Sequence, residues 1–250
     1  MDNIDVTFDF TSDSYEYWTG FWDRNNGLGA GASDPDSASP TLQEYHAKLW
    51  SRKLPNGQTM KLEKGLGSYY LTWNHFRFGS DAIIVSFRYN RYRDIIEQVK
   101  DKVPDFKLFY ENMIHRAYTM GGMIIFPKHT NSMNQCRGTN KLISDRWDLT
   151  MECIRRYYAS EKSPLADVIN SDKDFYDLFV DFKGYVDFFF LQDCVSEDYS
   201  KVSIWDGKGD FKEDGLPKTI DDYMNFIDKE LDFLDKRNAR IADFCANNHA

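Results

Sequence analysis

Apolar and polar positions change rhythm about a third of the way along the chain. Up to about residue 90 the apolar residues come in short pieces broken by Gly, Pro and Asn, and beyond that point they recur at steps of three and four. Residues 6–10 alternate and predict a strand. So do residues 60–62, 69–73 and 82–87, punctuated by Gly65, Gly67 and Gly79, with a turn at residues 55–57. The connections are too short for crossover helices, so the predicted sheet is antiparallel. One helix is predicted within this part. Ser39 stands as its N-cap and Pro40 at its first position; Leu42, Tyr45, Leu49 and Trp50 follow on one side, with His46 beside them.

After about residue 90 the periodicity predicts helices over 93–103, 105–116, 140–159, 164–170, 172–182, 185–195 and 219–245. The apolar run at residues 123–126, stopped by Pro127, reads equally as a buried strand or a helix end. Residues 129–139 form a polar loop. Strands early and helices late indicate an α+β fold, with a small antiparallel sheet from the N-terminal third packed on a mainly helical C-terminal part. No internal repeat is visible, and 250 residues is the upper end of what one core serves, so residues 1–250 are expected to form one domain.

Composition narrows the function classes. Hydrophobic residues make up 42% and aromatic residues 16% of the chain, which excludes a disordered protein and supplies a large core. With 31 basic and 40 acidic residues the net charge is -9. The densest basic patch, Arg88, Arg91 and Arg93 with Tyr89 and Tyr92, is short and is followed by acidic residues, which argues against nucleic acid as a partner. Cys136, Cys153, Cys194 and Cys245 form no C-x-x-C pair and read as reduced thiols. The N-terminus is acidic and polar, and the longest apolar run is residues 188–191, far short of a membrane span. A cytoplasmic location away from membranes is expected.

The segment from 143 to 158 concentrates the candidate chemistry. Ile143, Trp147, Met151, Ile154 and Tyr158 fall in one sector of a helix, and Asp145, Asp148, Glu152, Arg155 and Arg156 collect opposite. The plain reading is a charged outer face, with acids near the helix start and bases near its end. Asp148 and Glu152 are nevertheless like charges at i, i+4, which calls for a cation between them. A carboxylate-bearing site is therefore the rival reading, with Asp145, Asp148 and Glu152 in acid/base or metal-ligating roles. Oxygen ligands of this kind suit Mg²⁺ or Mn²⁺ better than zinc. Upstream, Asn134, Arg137 and Thr139 lead into the predicted helix start, where unpaired N–H groups and a planar guanidinium suit phosphate or carboxylate. Gly138-Thr139-Asn140 serves equally as an ordinary cap.

Other chemistry is sparse. His46, His75, His115 and His129 have no zinc-like spacing, and His46 on its amphipathic helix reads as a core histidine or a base. There is no nucleophile elbow, Walker loop or dinucleotide fingerprint; Gly27, Gly29 and Gly31 lack the strand–helix context. Cys136 has no evident histidine partner. In the last predicted helix Ile220, Met224, Ile227, Leu231, Leu234, Asn238, Ile241 and Cys245 form a heptad seam with one polar position. Tyr223, Phe226 and Phe233 broaden that face, favouring packing within the chain and a monomer; the same seam fits a dimer through residues 220–245.

Four stretches, DPDSASPTLQEYHAKLWSRKLPNG (34–57), YTMGGMIIFP (118–127), RGTNKLISDRWDLTMECIRRYY (137–158) and DFKGYVDFFFLQD (181–193), together resemble an uncharacterised family of bacterial proteins. The resemblance covers most of the chain and implies a bacterial cytoplasmic protein, with no activity to carry over. The residues themselves favour an enzyme or sensor of a small phosphorylated or carboxylated ligand. Arg137, Asn134 and Thr139 would hold the anion, Arg155 and Arg156 would balance charge, and His46 would lie near. The rival is a non-catalytic interaction module using the acidic surface and the last helix.

Overall fold

Ser39 and Pro40 start a helix as their order requires. In the computed structural model α1 (Pro35–Ala38) hands the chain to α2 (Pro40–Trp50), and the Ser39 hydroxyl oxygen accepts from the Leu42 amide at 3.0 Å. That bond satisfies one of the donors a helix start leaves unpaired. Leu42, Tyr45, His46, Leu49 and Trp50 are buried. The structure describes residues 4–13, 35–65, 71–83, 89–127, 142–144, 146–205, 211 and 216–247.

Among the described residues four strands lie in chain order across one antiparallel sheet: β1 (Glu63–Lys64), β2 (Leu71–Trp73), β3 (Phe76–Ala82) and β4 (Met123–Pro127). β2 and β3 form a hairpin with Trp73 opposite Phe76 and Asn74-His75 as the turn; Asn74 sits at φ 53°, a conformation Asn tolerates better than most residues. The run before Pro127 is thus a strand, brought from mid-chain to pair with β3. All five residues of β4 are buried, so it carries no alternation and its periodicity alone could not separate strand from helix.

The α+β class stands, while several boundaries move. Residues 6–10 are turns. Asp5 Oδ1 accepts from the Thr7 amide and Asp9 Oδ1 from the Thr11 amide, each at 2.9 Å, and these local bonds bend the backbone away from strand pairing. The segment is anchored by Phe10 N–H donating to the Tyr118 carbonyl and Met120 N–H to the Val6 carbonyl. The strand expected at 60–62 falls at 63–64, Met60 and Leu62 acting as buried anchors beside it. The strand expected at 82–87 ends at Ala82, and residues 84–88 lie outside those described.

The helices are α3 (Tyr89–Lys102), α4 (Phe106–Ala117), α5 (Trp147–Tyr158), α6 (Ala166–Ser171), α7 (Lys173–Tyr176), α8 (Phe182–Phe188) and α9 (Ile220–Asn247). α5 begins at Trp147, because Arg146 takes the extended conformation of a helix-preceding residue, and Ile143 is buried outside the helix. The helix expected over 172–182 is interrupted. A 3₁₀ turn at Asp177–Phe179 ends in Val180 at φ 70° and ψ -52°, and Asp181 then caps α8, its Oδ1 accepting from the Gly184 amide at 2.7 Å.

Aromatic residues fill the core between these elements. Phe179, Tyr185, Phe188 and Phe189 stack edge and tilt with centroids 5.0 to 5.3 Å apart, and Trp50 joins them 5.0 Å from Phe189. α9 crosses the turn at Met120–Gly122 at close range: a Cβ on Gly121 would lie 2.4 Å from the Leu234 carbonyl oxygen. In the seam, Ile227, Leu231 and Leu234 are buried, and the amide of Asn238 is satisfied within the chain. Its Oδ1 accepts from Gly121 N–H at 2.5 Å and its Nδ2 donates to Thr119 Oγ1 at 2.9 Å.

Beside the seam Arg237 is 0% exposed. Its Nε donates to the Phe189 carbonyl at 3.0 Å, and its Nη1 to the carbonyls of Gly121 at 2.6 Å and Met123 at 2.9 Å. Burial pulls its pKa down to about 9, still charged at neutral pH. This guanidinium joins α9, the start of β4 and the end of the α8 region through backbone carbonyls. The heptad pattern gave no sign of it.

Candidate functional site

The charges of α5 form two closed sets. Asp148, in its first turn, is 5% exposed and is gripped by the fork of Arg146: Nε donates to Oδ1 at 2.9 Å and Nη2 to Oδ2. Trp205 lies over the Arg146 guanidinium at 5.1 Å. Glu152, one turn on, accepts from Arg155 at 2.8 and 2.9 Å and from Arg156 at 2.7 Å. Burial raises the Glu152 pKa, but the bonds from Arg155 and Arg156 outweigh it and hold the carboxyl below its ordinary value. Arg155 also reaches Glu161 at 2.8 Å, and Arg156 donates to the Lys162 carbonyl at 3.2 Å. The like charges at 148 and 152 are thus served by separate arginines, Arg146 for Asp148 and Arg155 with Arg156 for Glu152. Asp148 lies on the buried side, not on an outer face with Glu152. Asn134, Cys136, Arg137, Thr139 and Asp145 lie outside the described residues.

His46 is 1% exposed and joins α2 to β3. Trp50 Nε1–H can only donate, and it meets His46 Nδ1 at 2.8 Å. Nδ1 therefore carries the lone pair and Nε2 the proton, so His46 donates to Ser80 Oγ across 2.9 Å. Burial first, and the nearby charge of Arg237 second, depress its pKa to about 3. A neutral histidine that donates to Ser80 cannot take that hydroxyl's proton as a base. The geometry is that of a satisfied core histidine.

A different cation lines an open cleft between the end of α2 and the start of α8. Just past the end of α2, the Arg52 guanidinium is packed among rings from three parts of the chain, 4.4 Å from Phe188, 4.5 Å from Phe190, 4.6 Å from Phe244 and 5.6 Å from Trp50. Its Nη2 donates to the Phe188 carbonyl, its Nε is buried without a hydrogen bond, and among the described residues no carboxylate pairs with it. Burial lowers its pKa to about 10, with the Cys245 thiol opposing. Arg52 is one wall of an open cleft of about 510 Å³, whose rim carries Lys53, Pro55, Val180 and Lys183. Asp181 and Asp187 also line it, and both are occupied. Asp181 caps α8; Asp187 accepts from Lys183, from Tyr199 Oη at 2.9 Å and from Gln192 Nε2 at 3.1 Å. Three cations against two carboxylates leave this cleft one net positive charge, on a chain of net charge -9.

Sequence reasoning missed Arg52 because residues 52, 188, 190 and 244 share no spacing. The only hint was the apolar run at 188–191, which stood out only as too short for a membrane span. A second cleft, of about 460 Å³, opens at the end of α5 between Tyr157, Ser160, Glu161 and Asp177; its charged groups are acidic, so it does not suit an anion.

Among the described residues no group of three His, Cys, Asp or Glu side chains is placed to hold a metal ion, and no helix is long and apolar enough to cross a membrane. Cys153, Cys194 and Cys245 are free and buried, and burial pushes the Cys153 thiol up to about 11.

No curated protein and no solved structure matches this sequence. The model of one protein family, described as a family of unknown function (DUF6994), matches residues 4–241. Since that match takes in nearly the whole chain, from the anchored turns before α1 to the seam of α9, the protein belongs to the DUF6994 family.

Proposed function

We propose that the protein binds a small phosphorylated or carboxylated ligand, as an enzyme or a sensor, and that the cleft at Arg52 receives the anionic group. The observation that supports this reading is Arg52 itself: a charged guanidinium without a carboxylate partner among the described residues, lining a cleft of about 510 Å³. That volume lies within the range that small-ligand sites use. A half-buried cation lacking a counter-charge gains from an incoming anion without first giving up a carboxylate partner.

The second location is the segment of Asn134, Arg137 and Thr139. There Asp145, Asp148 and Glu152 would serve as acid/base or Mg²⁺- or Mn²⁺-ligating groups, and Arg155 and Arg156 would balance charge. Binding at that location works against bonds already made, since Asp148 is held by Arg146 and Glu152 by Arg155 and Arg156. Breaking a buried pair is costly because it strands a charge. The interaction-module reading draws less support, because the apolar seam of α9 is covered within the chain.

Thermal shift with inorganic phosphate, nucleotides and small carboxylic acids tests the proposal. A ligand at about 100 times its Kd adds roughly 2.7 kcal/mol, which for a chain of this size raises Tm by about 5–10 °C. The shift should vanish in Arg52→Met and persist in Arg137→Ala, each variant read against its own baseline. Loss in Arg137→Ala alone moves the site to the Arg137 segment. No shift with any anion ends the anion-binding reading.

A further inference from the structure

We infer that the ligand of the Arg52 cleft is a monoanion carried on an apolar body, an aryl or alkyl carboxylate, not a bare phosphate or a polyphosphate. The inference rests on the anion-binding reading and deepens it through the charge and the walls of the same cleft.

The charge comes first. Lys183 is bound to Asp187, and Asp181, which keeps its charge as it caps α8, offsets one of the two cations that remain, Arg52 and Lys53, so the net charge of the described lining is one positive. A polyphosphate brings several negative charges and needs several donors; a carboxylate brings one. The planar fork of a guanidinium matches that group.

The walls come second. Apart from its charged rim the cleft is lined by Leu54, Pro55, Phe179, Val180 and Phe188, a surface with few hydrogen bonds to offer phosphate oxygens or a ribose. Val180 is the clearest sign. It is 63% exposed, one of two large apolar side chains so exposed among the described residues. It also stands at φ 70°, where a β-branched residue is a genuine outlier. Gly184 lets this rim close on the turn before it, since a Cβ there would lie 2.1 Å from the Phe179 carbonyl oxygen and 3.2 Å from Pro55 Cβ. The fold thus holds an apolar side chain out at the mouth of a cleft that has a cation in its wall. A molecule with a carboxylate at one end and a hydrophobic body at the other meets both demands, the body covering Val180 and Pro55 while the carboxylate approaches Arg52 and Lys53.

Calorimetric titration of the full chain tests this with phenylbutyrate, octanoate, acetate, inorganic phosphate and phenylbutanol, the uncharged counterpart of the first. The expected result is that phenylbutyrate or octanoate binds at least about tenfold tighter than acetate, phosphate and the alcohol. Val180→Asp and Lys53→Met, both at solvent-facing positions, should each weaken that binding by about tenfold or more while leaving the melting temperature near wild type. If phosphate or acetate binds as tightly as the apolar acids, anion binding stands and this inference is overturned. If phenylbutanol matches phenylbutyrate, or if none of the anions binds, both readings fall. If the apolar acids bind but neither variant weakens them, they bind elsewhere and the inference is wrong.

Discussion

Replacing Asn238 with leucine would make the α9 seam wholly apolar, and the structure says what that would cost. Asn238 Oδ1 is the acceptor for Gly121 N–H at 2.5 Å, and its Nδ2 donates to Thr119 Oγ1 at 2.9 Å. Leucine removes both partners and leaves the Gly121 amide, in a fully covered turn, unsatisfied at a cost of about 1–3 kcal/mol. Leucine branches at Cγ as asparagine does, but a methyl is bulkier than the carbonyl oxygen that now sits 2.5 Å from the Gly121 nitrogen, and overpacking of this kind costs about 1–3 kcal/mol. Relief of the amide's own burial and the apolar gain offset part of this, roughly 1–2 kcal/mol. The expected net loss is about 2–3 kcal/mol, seen as a fall in Tm of roughly 5–10 °C. Urea denaturation of Asn238→Leu, Thr119→Val and the double variant provides the assay, and the pair should show a coupling of about 0.5 kcal/mol or more. Light scattering should give the same mass for wild type and Asn238→Leu. A neutral or stabilising Asn238→Leu would refute the argument that the Gly121 amide depends on this side chain. A change in mass would show that the seam has a second partner in another chain.

Further outcomes follow from the same contacts. Gly121→Ala should destabilise more than Asn238→Leu, because the clash at 2.4 Å is with the Leu234 carbonyl, which is backbone and cannot rotate away; denaturant midpoints rank the two variants. His46, its pKa depressed by burial from an ordinary 6.5 to about 3, stays neutral in the fold while the unfolded chain takes up a proton below about 6.5. Stability should therefore fall as pH drops from about 6 toward 3, by up to about 1.4 kcal/mol per pH unit, and His46→Gln should flatten that slope. His115 titrates upward and Asp9 downward; for His115 the bond to Asp9 is the chief cause, and for Asp9 burial opposes while the His115 bond prevails. Their mutual support is present between the two folded-state pKa values, lost at high pH as His115 deprotonates and at low pH as Asp9 protonates. An NMR titration should find the His115 pKa above 6.5 in the wild type and lower in Asp9→Asn. The three buried cysteines should react slowly with a thiol reagent in the native protein, and all four cysteines of the chain should react once it is unfolded without reductant. A deficit of two would reveal a disulfide.

Much of the fold was legible because it rests on local chemistry. Ser39-Pro40 starts a helix in any context, Pro55 to Gly57 turns the chain, the Gly57 amide donating to the Leu54 carbonyl, and the four-and-three rhythm of α9 marks one buried face wherever that face lands. Long-range partners were not legible. β4 is buried on every residue and so lost the alternation that would have named it a strand, while residues 6–10 alternate but are bent by the Asx bonds of Asp5 and Asp9. On α5 the sequence required a cation between Asp148 and Glu152. Only the tertiary structure decided that Arg146 and Trp205 would enclose Asp148 while Arg155 and Arg156 took Glu152. Arg52 and Arg237 make the same point: a charge is expected at the surface unless something far away in sequence receives it. What received these two were rings at 188, 190 and 244 and carbonyls at 121, 123 and 189. Such partners follow no period along the chain, since packing in three dimensions, and not spacing, brings a ring or a carbonyl within reach of a guanidinium.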